Sequence, residues 1–154
     1  MPVFPSTEWL QQVADITAAD DEYRKYGRCD AIVGLRFGEQ LFSVTFDIFD
    51  IKDIHPTTEE ELRDADFVLE MSPGQWADLI TNIAENGKAD REHTLTSLDL
   101  RLPEGLARNT MGDGYRLDKF FRFNQSLQCF FDSSSRVETT AFAGVDGVGA
   151  AAGT

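Results

Sequence analysis

The sequence predicts an α+β domain in which helices cover one face of a mostly antiparallel sheet. Residues 30–48 contain two alternating apolar stretches joined by Gly38 and Glu39, a pattern typical of a β-hairpin. Residues 64–80 combine an alternating strand, a Ser-Pro turn and an amphipathic helix. Residues 117–137 carry phenylalanines at helical spacing. The predicted order is helix, hairpin, strand, helix, strand, helix.

The first half of the chain predicts a helix and then the hairpin. Ser6 or Thr7 is suited to cap a helix that runs to about Ala19 and resumes through residues 20–27, with Gly27 as a stop signal. In the return strand of the hairpin, one face carries Phe42, Val44, Phe46 and Ile48. After this strand, residues 51–56 are expected to leave the sheet because Pro56 blocks continuation, and residues 57–63 to form a short acidic helical turn.

The middle of the chain has the clearest boundary signals. Phe67, Leu69 and Met71 recur at every second position, which predicts a strand over residues 66–71. Ser72 is suited to the N-cap and Pro73 to the first helical position. A helix over residues 73–86 follows, with Gly87 as its C-cap, and its apolar face consists of Trp76, Leu79, Ile80 and Ile83.

The last third predicts a strand, a loop and an apolar helix. Residues 94–102 are interpreted as a strand with Leu98, Leu100 and Leu102 on one face. A loop rich in Gly, Asn and Asp covers about 104–115. The helix that follows carries five of the twelve phenylalanines of the chain within residues 120–131.

The composition of the chain limits the classes of function that it can have. A net charge of −13 over 154 residues disfavours nucleic-acid binding and adsorption to anionic membranes. No apolar run is long enough to span a bilayer, and the N-terminus lacks the pattern of a secretory signal, so a cytoplasmic location is expected. Cys29 and Cys129 are expected to be reduced, buried thiols. We expect one domain over residues 1–142 and a flexible Gly/Ala-rich tail over 143–154.

The order of these elements resembles a known family. The strand, Ser-Pro turn and helix of residues 64–80, the preceding hairpin of residues 31–46 and the apolar C-terminal helix are similar to the sterol carrier protein 2 (SCP-2) family over roughly residues 6–132. The chain departs from that family in the segment after Gly87-Lys88, in its long loop at 104–115 and in lacking a C-terminal peroxisomal signal. The resemblance implies an apolar cavity between sheet and helices that accepts an acyl chain, a sterol or a similar lipid.

On this interpretation the protein binds or transfers an apolar small molecule without a cofactor or a metal ion. The aromatic-rich lining is deformable and suits varied lipids. The same residues are also explained as ordinary core. The expected ligand-contacting residues are Phe42, Val44, Phe46, Phe67, Leu69, Met71, Trp76, Ile80, Phe120, Phe121, Phe123, Leu127 and Phe131.

Two alternatives remain open from the sequence. One is a cofactor-independent isomerase, lyase or cyclase that uses the same cavity, with Asp47, Asp99 or His55 as the candidate catalytic group. Strand alternation places Asp47 and Asp99 on the solvent face. His55 is expected in a solvated acidic loop, because Asp50 and Asp53 before it lie beyond the end of the strand. Either Asp47 or Asp99, if turned into the cavity, would have a raised pKa and the properties of a general base. The other alternative is an accessory subunit, or a homodimer, that docks through the Phe-rich helix.

Overall fold

The computed structural model describes residues 3–26 and 28–139. Within these residues, six α-helices and five strands form one layered α+β structure. The helices are α1 (Thr7–Ala18), α2 (Asp21–Tyr26), α3 (Pro73–Asn86), α4 (Leu95–Arg101), α5 (Gly114–Arg122) and α6 (Asn124–Asp132). The strands are β1 (Cys29–Phe37), β2 (Gln40–Ile48), β3 (Asp50–Pro56), β4 (Phe67–Met71) and β5 (Ala107–Arg108). The α+β prediction is therefore confirmed.

The sheet has the strand order β3-β2-β1-β4-β5, and β1 is its central strand. β1 and β2 form the predicted antiparallel hairpin, in which Val33 is opposite Val44. β4 is parallel to β1, with Met71 in register with Phe37, whereas the remaining pairs are antiparallel. The chain between β2 and β4 forms β3 and a 3₁₀ turn at Glu61–Asp64, which corresponds to the predicted helical turn.

The core lies between the sheet and the helices, because the apolar sides of β1, β2 and β4 face the same way. Alternation buries Val33, Leu35 and Phe37 on β1 and leaves the side chains between them toward the other face. On the other face, Leu62 and Ala65 pack with Val68 and form a small second cluster. The largest fully buried side chains of the main core are Phe4, Trp9, Tyr23, Phe67, Trp76, Phe120, Phe130 and Phe131.

Helix α3 begins and ends where its sequence predicts. The Ser72 hydroxyl accepts a hydrogen bond from the Gln75 amide at 3.2 Å, and the Gln75 side chain accepts one from the Ser72 amide at 2.9 Å. This capping box satisfies two amides that the helix itself leaves without partners. At the other end Gly87 has a φ of +79°, a left-handed conformation that a residue without Cβ adopts at little cost.

The prediction that residues 51–56 leave the sheet is wrong, because they form the edge strand β3. A two-residue turn at Ile48 and Phe49 returns the chain, and Asp47 is then opposite Asp50. Pro56 is the last residue of β3, where proline is tolerated because an edge strand needs only half of its backbone groups for pairing.

The predicted strand over 94–102 is also wrong, because these residues form helix α4. The Thr94 hydroxyl accepts a hydrogen bond from the Ser97 amide at 3.2 Å and caps the helix. Leu95 and Leu98 are buried, whereas Leu100 is 80% exposed. The buried leucines are therefore spaced by one helical turn, and the alternation of Leu98, Leu100 and Leu102 does not correspond to one face.

The C-terminal apolar segment is two helices and not one. Phe123 has φ −107° and ψ 20°, and this non-helical residue separates α5 from α6. Phe120 on the first of these helices and Phe130 and Phe131 on the second are all buried in the same core. The predicted loop before α5 additionally contains the short strand β5, which pairs with β4.

Both cysteines are free thiols, as the sequence predicts, and Cys29 is buried as expected, whereas Cys129 is only partly buried. Burial raises the pKa of Cys29 to about 12 and that of Cys129 to about 11, so neither thiol is activated as a nucleophile. Helix α2 corresponds to the predicted continuation after α1. The predicted stop signal at Gly27 and the predicted tail at 143–154 lie outside the described residues.

Candidate ligand-binding site

Most of the residues expected to contact a ligand are brought together behind the sheet. Strands β2 and β4, helix α3 and the two C-terminal helices contribute them, and their apolar side chains face one shared interior. Eleven are buried: Phe42, Val44, Phe46, Phe67, Leu69, Met71, Trp76, Ile80, Phe120, Leu127 and Phe131. The sequence therefore identified a set of residues that are neighbours in the fold.

In this structure the aromatic rings of the set are in direct contact. The ring centroid of Trp76 lies 4.6 Å from that of Phe37 and 5.6 Å from that of Phe131. Phe67 and Phe120 meet edge to face at 5.8 Å. The Trp76 indole also donates a hydrogen bond to the Arg36 carbonyl at 2.7 Å, which satisfies its buried polar atom. We call this set of side chains the aromatic interior.

Phe121 and Phe123 differ from the other expected contacts. Phe121 is 59% exposed, because Phe120 is the residue of this pair that points to the core and the next position on a helix is rotated by about 100°. Phe123 is partly buried at the junction of α5 and α6, and the Arg122 guanidinium lies 5.5 Å from its ring centroid.

An open cleft lies beside the aromatic interior, between the start of α3 and the end of α4. It has two adjoining lobes of about 640 and 450 Å³. We call it the α3–α4 cleft. The two lobes share Met71, Gln75, Leu102 and Pro103. Because Met71 also belongs to the aromatic interior, the cleft reaches the core at this side chain.

The wall of the larger lobe carries a chain of ion pairs. The Glu70 carboxylate lies between two guanidinium groups, 3.4 Å from Arg36 Nε and 3.5 Å from Arg108 Nε. Arg36 also pairs with Glu59, and Arg108 pairs with Glu104 at 3.2 Å. The hydrogen bond with Glu59 raises the pKa of Arg36 and lowers that of Glu59, although burial opposes both shifts. The cleft thus has a polar wall beside an apolar floor.

Asp99 shapes the rim of this cleft and is not turned into a cavity. Its carboxylate accepts hydrogen bonds from the amides of Leu106 at 2.7 Å and Ala107 at 3.4 Å. These bonds hold the turn at residues 102–106. Gly105, at a φ of +80°, approaches so closely that a Cβ there would lie 3.0 Å from the Asp99 carboxylate. Asp99 was expected on a strand, and its position on α4 gives it this role in orienting the turn.

The two other candidate catalytic groups are both exposed and lie apart. Asp47 is at the end of β2, where its carboxylate pairs with Lys52 at 2.9 Å. His55 lies on β3 opposite Ser43, with Nδ1 2.9 Å from the Asp53 carbonyl and Nε2 3.8 Å from Glu61. A shallow depression of about 620 Å³ on the outer sheet face contains His55, and the aromatic interior is on the opposite face.

Asp66 connects α5 to the sheet and was not identified from the sequence. It is only 7% exposed, and its carboxylate lies 3.3 Å from both Arg116 Nε and Lys119 Nζ. The Ile32 amide donates a further hydrogen bond to it at 2.8 Å. A buried carboxylate needs such partners to offset its lost hydration, so this cluster holds α5 against the start of β4.

His93 connects α3 to the segment before α4. Its Nε2 lies 2.9 Å from Asp78, which lines the smaller lobe of the cleft, and its Nδ1 lies 2.7 Å from Asp90. Partial burial lowers the pKa of His93, but the hydrogen bonds to Asp90 and Asp78 outweigh it and the net shift is upward. The hydrogen bonds of Asp90 to His93 and Asn82 lower its pKa to about 2.

Within residues 3–26 and 28–139, no group of three or more His, Cys, Asp or Glu side chains is arranged to hold a metal ion. None of the helices in the same ranges is both long and apolar enough to cross a membrane.

Apart from Met71, the residues that line the α3–α4 cleft were not among the ligand contacts expected from the sequence. Their signal was available, since Leu95, Leu98 and Leu102 are spaced by three and four residues after a capping threonine. The strand interpretation of this segment concealed both the helix and the cleft that it borders. Arg36, Glu70 and Arg108 converge only through the pairing of β1, β4 and β5, which local sequence patterns do not reveal.

Comparison with solved structures shows which fold this is. A crystal structure of sterol carrier protein 2 matches 85% of this chain and 96% of its own, with a TM-score of 0.55 and 15% identity. The solution structure of a conserved hypothetical protein from Thermus thermophilus, suggested to be a sterol carrier protein, matches 90% of this chain and 92% of its own, with a TM-score of 0.55 and 16% identity. No family model and no curated protein matches. The chain therefore has an SCP-2-like fold.

Proposed function

We propose that this protein binds and carries a lipid, a sterol or another bulky apolar small molecule in the cytoplasm. The main observation behind this proposal is that two regions of the molecule meet at Met71. An aromatic interior of the kind expected for a lipid-binding cavity meets an open cleft at this side chain. The two structural neighbours reported above, one a sterol carrier protein and one suggested to be such a protein, add support by analogy of fold.

The binding energy in this proposal comes from transfer of apolar groups out of water. Each methylene that enters an apolar site contributes about 0.8 kcal/mol. A short acyl segment against Met71, Leu98 and Leu102 then binds without any covalent step or cofactor. The polar wall of Arg36, Glu70 and Arg108 holds the polar end of an amphipathic ligand at the mouth.

Deeper entry requires the aromatic interior to open. The rings are in contact, so an acyl chain or sterol must separate them by moving a helix or a turn. The turn at residues 102–106 is held by the Asp99 carboxylate and by a hydrogen bond from the Glu70 amide to the Leu106 carbonyl. Helices α5 and α6 form another part of the wall. Movement of either element exposes the interior from the side of the cleft.

Native mass spectrometry of the purified protein is the first test of this function. A co-purifying apolar molecule near one equivalent, or uptake of an added monomeric fatty acid or sterol, is the expected result. A mass of the chain alone with no uptake of either ligand would overturn the proposal, because a carrier must hold its ligand in solution.

A pair of leucine variants tests whether the α3–α4 cleft is the place of binding. Leu102 lines both lobes, so Leu102→Asp should weaken uptake by about tenfold or more, since a buried charge opposes an apolar ligand. Leu100, two residues earlier on α4, lines neither lobe and is the matched control, so Leu100→Asp should bind as the wild type does. Urea unfolding of both variants separates a binding defect from a folding defect. Equal uptake by the two variants would rule out the cleft as the entrance.

A further inference from the structure

Phe4 brings an aromatic ring into the main core from a part of the chain that is neither a helix nor one of the five sheet strands. It lies in residues 3–5, which come directly before Ser6, the N-cap of α1. We call residues 3–5 the pre-α1 segment. Phe4 is only 2% exposed, whereas Val3 beside it is 40% exposed. The segment therefore turns this ring inward from the surface of the molecule.

The Phe4 ring is enclosed by three aromatic side chains. Its centroid lies 4.6 Å from that of Trp9, 5.0 Å from that of Phe37 and 6.4 Å from that of Trp76. The contacts with Trp9 and Phe37 are edge to face. Because these neighbours belong to α1, β1 and α3, the space that Phe4 fills is bounded by three separate elements.

A short chain of neighbouring side chains joins this space to the α3–α4 cleft. Met71, which lines both lobes of the cleft, is in register with Phe37 on the adjacent parallel strand. Both side chains face the main core, and Phe37 is in turn in contact with Phe4. An apolar chain that enters past Met71 therefore meets Phe37 and Trp76 first and the Phe4 ring next.

The pre-α1 segment is placed so that it can move without unfolding α1. The Ser6 hydroxyl accepts a hydrogen bond from the Trp9 amide at 3.1 Å, and the Ser6 carbonyl accepts one from the Leu10 amide at 3.0 Å. These bonds cap the helix at Ser6, so the residues before it lie outside the capped end. Phe37 and Trp76, in contrast, belong to the central strand and to a helix capped at both ends. Displacement of Phe4 leaves these elements in place.

We propose that the space held by the Phe4 ring is the inner subsite of the ligand site, and that it accepts a phenyl-sized apolar ring at the end of the ligand. Phe4 is the chain's own occupant of this subsite, and the ligand binds by replacing it. The surrounding rings already receive one aromatic ring edge to face, so a ring of the ligand finds the same contacts. The inference rests on the proposed function, because it names the kind of ligand end that the same site takes.

Removal of the competing ring should strengthen binding. The apparent affinity of a ligand is reduced by the fraction of molecules whose site is competent to receive it. Phe4→Ala should therefore take up a phenyl-terminated alkanoic acid about tenfold more tightly than the wild type does. The gain should be smaller for an unbranched alkanoic acid with the same number of carbon atoms, since it carries no ring.

Phe130→Ala is the matched control for this experiment. Phe130 is as fully buried as Phe4, but it belongs to the regular helix α6 and packs against Phe46 at 5.4 Å and Phe131 at 5.2 Å. Its truncation should lower stability without strengthening uptake of either acid. An equal gain in both variants, or no gain in Phe4→Ala, would overturn the proposal.

A fluorine label on the Phe4 ring tests the displacement in a chain that keeps this ring. With para-fluorophenylalanine at position 4, the fluorine NMR signal should be that of a buried ring and should become solvent-exposed when the phenyl-terminated acid saturates the protein. The same label at Phe130 should stay buried. If the acid is bound by native mass spectrometry and the label at Phe4 stays buried, the ligand does not replace Phe4 and the proposal is wrong.

The outcomes separate this inference from the function on which it rests. If no form of the protein takes up either acid or a sterol, the proposed function fails and the inner subsite fails with it. If the wild type takes up ligand and Phe4 stays buried, the function stands and only the inference is overturned. If Phe4→Ala alone takes up ligand, the subsite is supported, but the wild-type protein does not act as a carrier.

Discussion

The aromatic interior and the α3–α4 cleft share Met71 but are packed very differently. In the interior, Trp76 and Phe131 are fully buried and their rings are in contact. In the cleft, Leu102 and Pro103 border open space, and the nearby charges are paired in a chain on the wall. An apolar composition alone therefore does not identify a binding site. A site also needs unfilled volume next to the apolar side chains.

The largest expected effect distinguishes a packed interior from a ligand cavity. Phe131→Ala should lower the free energy of unfolding by about 3–5 kcal/mol, as expected for truncation of an aromatic side chain in a packed core. Leu100→Ala, at an exposed position, is the control and should change stability by no more than about 0.5 kcal/mol. Urea unfolding of the ligand-free protein measures both values. A cost below about 1 kcal/mol for Phe131→Ala would show that the interior is loosely filled, as the wall of a ligand cavity would be.

A second, smaller loss of stability is expected when the Asp66 cluster, which holds α5 over the interior, is removed. Asp66→Ala removes the acceptor shared by Arg116, Lys119 and the Ile32 amide, so we expect a loss of about 2–3 kcal/mol. The two cations keep part of their hydration, which places this value below that of a fully buried ion pair. Asp118→Ala removes only an exposed pair with Arg122 and should cost less than about 1 kcal/mol.

Hydrogen exchange of the Asp66→Ala variant reports on α5 and on α3 separately. The amides of α5 should exchange faster, because the helix has lost its attachment to β4, while those of α3 should be unchanged. A uniform increase over both helices would instead indicate that the interior and α5 unfold as one unit.

The smallest expected effect is a pH dependence of the free energy of unfolding, which arises from His93 and Asp90 beside the cleft. Because the folded-state pKa of His93 is raised above 6.5, its stabilising contribution is fully present below pH 6.5 and is lost as the pH rises through the folded value. For Asp90 the sign is opposite. Its folded pKa is about 2, so its contribution is present above pH 3.8 and is lost as the pH falls toward 2. Stability from this cluster is therefore greatest between these two limits.

A His93→Gln variant measures the histidine part of this dependence. Unfolding by urea across neutral pH should show a smaller decline with rising pH for the variant than for the wild type. The His55→Gln variant is the control, since His55 is exposed on β3 and away from the cleft. If His93→Gln and the wild type decline in parallel, the imidazole does not hold Asp78 and Asp90 together in solution.

Several elements could be predicted from the sequence because interactions between neighbouring residues define them. Ser72, Pro73 and Gly87 determine both ends of α3 because capping and a left-handed glycine act through neighbouring residues. The period of two in β1, β2 and β4 determined which side chains face the main core, since alternation is a property of the strand itself. For the same reason the apolar set behind the sheet, and the resemblance of fold that it supports, were available before the structure.

Other features depended on contacts between distant residues. Leu98 and Leu102 fit a strand or a helix by their spacing, and the buried partners of Leu95 and Leu98 select the helix. Pro56 is tolerated as the last residue of β3 because this strand lies at the edge of the sheet. The cleft forms where Arg36, Met71 and Leu102 converge from three separate elements, so its open volume is a result of tertiary packing. Which surfaces are apolar follows from the local pattern of side chains, whereas which of these surfaces are filled depends on the shapes that meet in the folded molecule.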